Sequence, residues 1–64
     1  MAPLAQPAQK LRVLVCDDSP LMRRFLGDAV TEAGAEVVGV ARDGRDALDL
    51  VARLRPDVIT LDLE

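Results

Sequence analysis

The sequence predicts an α/β fold built on a parallel sheet, in the order strand, helix, strand, helix, strand. This prediction depends on three observations: three short β-branched runs, two amphipathic stretches between them, and capping or turn residues at the junctions. Helices that connect parallel strands cross over right-handed and pack on the faces of the sheet. The 64 residues are about half of a typical domain, so we expect a half-sheet with a modest core.

The first strand and the first helix follow each other directly. Residues 12–16 are β-branched and almost continuously apolar, which suits a strand buried on both faces. Ser19 stands in the N-cap position, Pro20 in the first helical position, and Gly34 ends the helix. The apolar stripe of this helix comprises Leu21, Phe25, Leu26, Ala29, Val30 and Ala33. We expect Met22 and Phe25 to lie in the core.

The remaining elements are two strands and a second helix. The second strand is predicted at residues 36–41, and Asp43 begins a turn that also caps the next helix. That helix, residues 45–54, places Ala47, Leu48, Val51 and Leu54 on one face. Residues 57–62 form the third strand. Residues 1–9 hold two prolines and no sustained periodicity, which predicts a flexible leader before the folded residues 10–64.

Composition and charge exclude several classes of protein. No apolar run is long enough to span a membrane and no secretion signal is present, so we expect a cytoplasmic protein without membrane insertion. A net charge of -3 and a single aromatic residue, Phe25, argue against nucleic-acid binding. The single cysteine, Cys16, excludes an internal disulfide and is expected to be a small buried residue.

Three carboxylates stand at the ends of two predicted strands. Asp17 and Asp18 follow the first strand, and Asp62 ends the third. In the flavodoxin-like strand order 2-1-3 these ends are adjacent, and we expect the three side chains to meet there. Clustered carboxylates need a cation among them, and Mg²⁺ prefers oxygen ligands and phosphate. Alternatively, the first two acids only form a strand-to-helix turn.

Three segments closely resemble the receiver domain of two-component response regulators. They are residues 17–23 (Asp-Asp-Ser-Pro-Leu-Met-Arg), residues 41–44 (Ala-Arg-Asp-Gly) and residues 56–64 (Pro-Asp-Val-Ile-Thr-Leu-Asp-Leu-Glu). Among receivers, the chain is most similar to that of the chemotaxis protein-glutamate methylesterase. The resemblance extends over residues 10–64 and implies a flavodoxin-like sheet truncated to β-α-β-α-β, the N-terminal half of a receiver domain.

The resemblance also implies a role for each acid. Asp62 resembles the phosphoacceptor, which takes a phosphoryl group from a histidine kinase in a chemotaxis phosphorelay. Asp18 would bind Mg²⁺ directly, Asp17 through water, and the backbone carbonyl of Glu64 would add another oxygen. A carboxylate nucleophile with a neutralising cation is suitable for phosphoryl transfer.

Several residues typical of receivers and of the methylesterase do not occur in these 64 residues. The Ser or Thr and the Lys that contact the phosphoryl group in receivers come from a fourth and a fifth strand, and Lys10 lies in the wrong place to serve. The chain has no His, so we expect that by itself it is not the esterase, although its full-length parent could be a protein-glutamate methylesterase and glutamine deamidase.

The sequence leaves two classes of function open. The first is a receiver that controls an output domain not present in this chain. The second is a half-receiver without phosphotransfer activity that self-associates or pairs with the missing C-terminal half, because its sheet has an open edge and uncovered apolar faces. A third alternative is an unrelated small flavodoxin-like domain, which would not account for acids at both strand ends.

Overall fold

Three strands and two helices alternate along the chain, as predicted. The structure, a computed structural model, describes residues 10–62, so the predicted leader lies outside the described residues. The elements are β1 Arg12–Asp17, α1 Pro20–Glu32, β2 Glu36–Ala41, α2 Gly44–Leu54 and β3 Val58–Asp62. Neither of these helices is long and apolar enough to cross a membrane.

The sheet is parallel, with β1 between β2 and β3, which confirms the predicted order 2-1-3. From Val13 to Asp17 every residue of β1 is buried, because a central strand is covered on both faces and at both edges. The register between β1 and β2 shifts after Val13, and the next pair is Leu14 with Gly39. A side chain at position 39 would collide with Leu54, so glycine lets α2 approach the sheet there.

Capping residues fix the helix ends where the sequence predicts them. The Ser19 hydroxyl accepts a hydrogen bond from the Met22 amide at 3.3 Å, and the Asp43 carboxylate accepts one from the Asp46 amide at 2.8 Å. Gly34 ends the first helix with a φ of 95°. At α2 the acidic N-cap Asp43, and Asp46 in the first turn, also suit the positive end of the helix dipole.

The two helices lie on opposite faces of the sheet, and each packs on β1 and β2 but not on β3. Below α2, Cys16, Ala41 and Ala47 form the buried cluster, with Leu50 against it. The residues of α1 nearest the sheet are half-buried: Arg23, Leu26, Gly27 and Val30. This row is the side of α1 that faces β1 and β2.

The prediction of core positions on the helices was partly wrong. Phe25 is 63% exposed and Leu21 75% exposed, although both belong to the predicted stripe, and Met22 is also exposed. They flank the row through Leu26 and Val30 that contacts the sheet, and the helix is not covered from that side by any described element. Likewise Leu48 is exposed, because it borders an open groove between α2 and β3.

Candidate functional site

Asp17 and Asp62 are register partners at the carboxyl ends of β1 and β3. Neighbouring strands lie about 4.8 Å apart, and register partners in a parallel pair project to the same face of the sheet. Two of the three predicted carboxylates are therefore side by side at the carboxyl end of the sheet. The central position of β1 brings them together although 45 residues separate them in the chain.

The two carboxylates have different environments. Asp17 is only 2% exposed, and its Oδ1 accepts a hydrogen bond from the Ser19 amide at 2.9 Å. Its Oδ2 is buried and has no hydrogen-bond partner among the described residues. Asp62 is exposed at the end of the edge strand. Asp62 is thus accessible to a reagent or partner, whereas Asp17 is buried and held in place beside it.

Asp18 does not complete a cluster of three. It is exposed in the bend after β1, while the side chain of Asp17 turns back toward the Ser19 amide. Within residues 10–62 no three His, Cys, Asp or Glu side chains come together in a metal-binding group. The three carboxylates that we expected to meet therefore do not form one cluster in the described residues. Glu64, the predicted carbonyl ligand, lies outside the described residues.

Arg23 is a site residue that the sequence reasoning missed. Its Nη1 donates to the backbone carbonyl of Asp17 at 2.9 Å, and its own amide donates to the Ser19 carbonyl at 2.9 Å. A signal was available, because Arg23 is spaced three and seven residues from Leu26 and Val30, on the side of α1 that faces the sheet.

Cys16 precedes the acids but belongs to the opposite face. It is fully buried, and its Sγ donates to the Asp43 carbonyl at 3.5 Å. Burial raises the pKa of the Cys16 thiol, and the negative charges of Asp43, Asp46 and Asp17 raise it further. The thiol therefore stays protonated at neutral pH, which agrees with its expected role as a small buried residue.

The donor set at this edge fits a hard cation. All the side-chain donors are carboxylate oxygens, the ligands Mg²⁺ prefers, and the buried Oδ2 of Asp17 has acceptor capacity that no described residue uses. Two carboxylates on adjacent strands also repel each other unless a cation neutralises them. Asp17, Asp18 and Asp62 would be the side chains that hold such an ion.

Comparison with known proteins identifies the family. The sequence model of the response regulator receiver domain matches residues 13–64. The chain belongs to the receiver domain family. Its three strands in the order β2-β1-β3 with a helix on each face agree with the N-terminal part of that flavodoxin-like fold. Membership assigns this receiver to two-component signalling.

The receiver is also similar to protein-glutamate methylesterases and to a chemotaxis protein. Protein-glutamate methylesterase/protein-glutamine glutaminase 5 of Myxococcus xanthus is 61% identical over 54 residues, 83% of this chain and 16% of that protein. The protein-glutamate methylesterase/protein-glutamine glutaminase of Geobacillus kaustophilus is 53% identical over 55 residues, 84% of this chain and 16% of that protein. Chemotaxis protein CheY of Thermotoga maritima is 46% identical over 52 residues, 81% of this chain and 43% of that protein. The receiver thus spans less than half the length of each of these relatives.

Proposed function

We propose that this receiver is a phosphoacceptor module in which Asp62 takes a phosphoryl group from a histidine kinase. The observation that carries the proposal is the exposed carboxylate of Asp62 at the end of β3, in register with the buried Asp17. An accessible carboxylate beside a second, fixed carboxylate is an arrangement that favours phosphoryl chemistry once the negative charge is neutralised.

The transfer requires one bond to form and one to break. An oxygen of Asp62 attacks the phosphorus of the donor phosphohistidine, the P–N bond breaks, and the histidine nitrogen keeps the electron pair. The product is an acyl phosphate on Asp62. Mg²⁺, when bound, neutralises the phosphoryl oxygens and the carboxylates around them.

Each of the other site residues has a binding or orienting role. Asp18, exposed in the bend after β1, and Asp17 would hold the cation, with the Glu64 carbonyl as a further ligand. The Ser19 amide holds Oδ1 of Asp17, and the Arg23 guanidinium holds its backbone carbonyl. One contact holds the side chain of Asp17 and the other its backbone, so Asp17 does not have to reorganise when the substrate arrives.

The names of the relatives support a proposal about the output. The proteins similar to this receiver include protein-glutamate methylesterases, which extend well beyond the aligned residues. We propose that this receiver regulates an output of that kind in a chemotaxis pathway in the cytoplasm. The CheY relative is much shorter, since the aligned 52 residues make up 43% of it, so the alternative form of this regulation is a receiver that acts on a separate partner.

Intact mass spectrometry tests the phosphoacceptor. The chain is incubated with Mg²⁺ and a small-molecule phosphodonor such as acetyl phosphate, and the expected result is the gain of one phosphoryl group. Asp62→Asn should abolish the gain. Asp49→Asn, at an exposed acid on α2 that pairs with Arg53, should leave it intact. Phosphorylation that persists in Asp62→Asn, or its absence from the wild-type chain with Mg²⁺ present, would contradict the assignment.

A second candidate function is an assembly element without phosphotransfer. The observation that favours it is the edge strand β3, where Val58, Ile59 and Leu61 are all at least 40% exposed on two faces of the sheet. Pairing with a second copy or with a C-terminal half-receiver would cover them. Light scattering should then give a mass above that of one chain. A monomeric mass with a cooperative melt would exclude this candidate.

A further inference from the structure

Two buried side-chain oxygens near the site have no hydrogen-bond partner among the described residues. They are Oδ2 of Asp17 and Oγ1 of Thr60. Buried polar atoms in folded proteins are almost always paired, either with protein groups or with ordered water. The two atoms are chemically complementary, since a hydroxyl donates and an ionised carboxylate only accepts.

The two oxygens lie on the same face of the sheet. Thr60 pairs with Val15 and Asp62 with Asp17, so Thr60 and Asp17 are diagonal neighbours on adjacent strands. With strands about 4.8 Å apart and a rise of about 6.6 Å over two residues, their Cα atoms are about 8 Å apart. That diagonal is long for a direct bond between two short side chains. One water molecule with two bonds of about 2.8 Å bridges oxygens up to about 5.6 Å apart.

Apart from the two acids, the neighbours of Thr60 on this face of β1 and β3 are apolar, so its hydroxyl is the exception. On this face β1 and β3 otherwise present Val13, Val15 and Val58 before the two acids. Valine has nearly the shape of threonine and fits a pleated, half-buried surface equally well. A hydroxyl in this row costs free energy unless it is hydrogen-bonded, so shape alone does not account for threonine at position 60.

We propose that Thr60 is a positioning residue for Asp17, acting through one ordered water that its hydroxyl binds and that donates to Oδ2. The Ser19 amide already holds Oδ1 of the same carboxylate, so the water adds a second anchor and fixes the plane of the group. The inference rests on the proposed function, because a fixed Asp17 matters for binding the cation at this edge. Partners behind the ligands of a metal site set the orientation of those ligands and contribute strongly to metal affinity.

Paired substitutions test the proposal by Mg²⁺ titration calorimetry. Thr60→Val removes the hydroxyl and keeps the shape, and it should weaken Mg²⁺ binding about 10-fold. Thr60→Ser restores the hydroxyl and should bind within about twofold of the wild type. Thr31→Val is the control, because the Thr31 hydroxyl donates to the Gly27 carbonyl on an exposed part of α1, away from the site. Circular dichroism confirms that each variant is folded.

A measurement on the wild-type chain supports or overturns the bridge even if Thr60→Val fails to fold. Nuclear Overhauser spectra should show a long-lived water at the Thr60 hydroxyl, and the absence of that signal would overturn the proposal. Equal Mg²⁺ affinity for Thr60→Val and wild type would also overturn it, while phosphorylation of Asp62 would remain intact. Loss of Asp62 phosphorylation with the water signal present would instead contradict only the proposed function.

Discussion

Gly39 provides the sharpest test of how closely α2 packs on the sheet. A Cβ at this position would lie 2.7 Å from Cδ1 of Leu54 and 3.1 Å from Cδ1 of Leu14. Ordinary carbon contacts are about 3.5–4.0 Å, so both methyl groups must move. Leu54 is half-buried and can rotate outward, whereas Leu14 is fully buried and has no room. Gly39→Ala therefore overfills this side of the core.

The expected net effect follows from two opposing terms. Overpacking of a core costs about 1–3 kcal/mol. Replacing glycine by alanine restricts the unfolded chain, which raises the free energy of unfolding by about 0.4–1 kcal/mol. Because one of the two clashing methyl groups can move, we expect Gly39→Ala to lower the free energy of unfolding by about 1–2 kcal/mol. Each kcal/mol lowers Tm by about 4–8 °C in a domain of this size.

Gly27→Ala is the matched control. Gly27 lies inside α1, and an added Cβ has nothing within 4 Å outside its own helix. The substitution should raise stability by up to about 1 kcal/mol through helix propensity. Urea denaturation followed by far-UV circular dichroism, at one protein concentration, measures both variants. Gly39→Ala as stable as the wild type would show that Leu14 and Leu54 do not close over the glycine as described.

Four further predictions concern single residues. Arg23→Ala removes the bond to the Asp17 carbonyl and should cost about 1–2 kcal/mol in urea denaturation, against less than about 0.5 for the exposed Arg24→Ala. The Arg12 guanidinium donates to the Leu54 and Arg55 carbonyls at the end of α2, each at 2.9 Å. Arg12→Ala leaves both carbonyls without this donor and should lower the free energy of unfolding by about 1–2 kcal/mol, and Arg12→Lys should restore part of that stability. Arg55→Gly relieves a left-handed residue with φ 51° and should raise Tm by several degrees, about 1 kcal/mol. The pKa of Cys16 is raised in the folded chain, so as pH rises the thiol of the unfolded chain loses its proton first. The free energy of unfolding should therefore fall as pH rises above about 8.5, and Cys16→Ala should abolish that fall.

The element order could be predicted from the sequence because local chemistry specifies it, whereas the strand order was predicted from the flavodoxin-like order of the receiver domains that the chain resembles. Ser19 and Pro20 at the start of α1, Gly34 after it and Asp43 before α2 lie where the structure has the helix ends. The nearly continuous apolar character of residues 12–16 indicates a central strand, and a parallel βαβαβ unit then leaves few topologies. The observed bounds of β1, α2 and β3 differ from the predicted ones by a single residue.

Tertiary contacts were less predictable. Periodicity identifies an apolar stripe but not which part of it is covered, and Phe25 and Leu48 are exposed because the described helices cover β1 and β2 and leave β3 open. The adjacency of Asp17 and Asp62 follows from the strand order, whereas the inward turn of Asp17 depends on the Ser19 amide. Two features needed coordinates: the Arg23 bond to a backbone carbonyl, and the burial of Oδ2 of Asp17 and Oγ1 of Thr60 without a described hydrogen-bond partner.

The position of the acids in the sheet determines how the site responds to local opening. Asp17 ends the strand with the most complete burial, and the amides of such a strand exchange their hydrogens only when the whole domain unfolds. Asp62 ends the edge strand, which neither described helix covers, so β3 can separate while β1 and β2 stay paired. Hydrogen exchange should therefore be faster in β3 than in β1. It follows that Asp17 and Asp62 can separate and come together again at a free-energy cost below that of global unfolding.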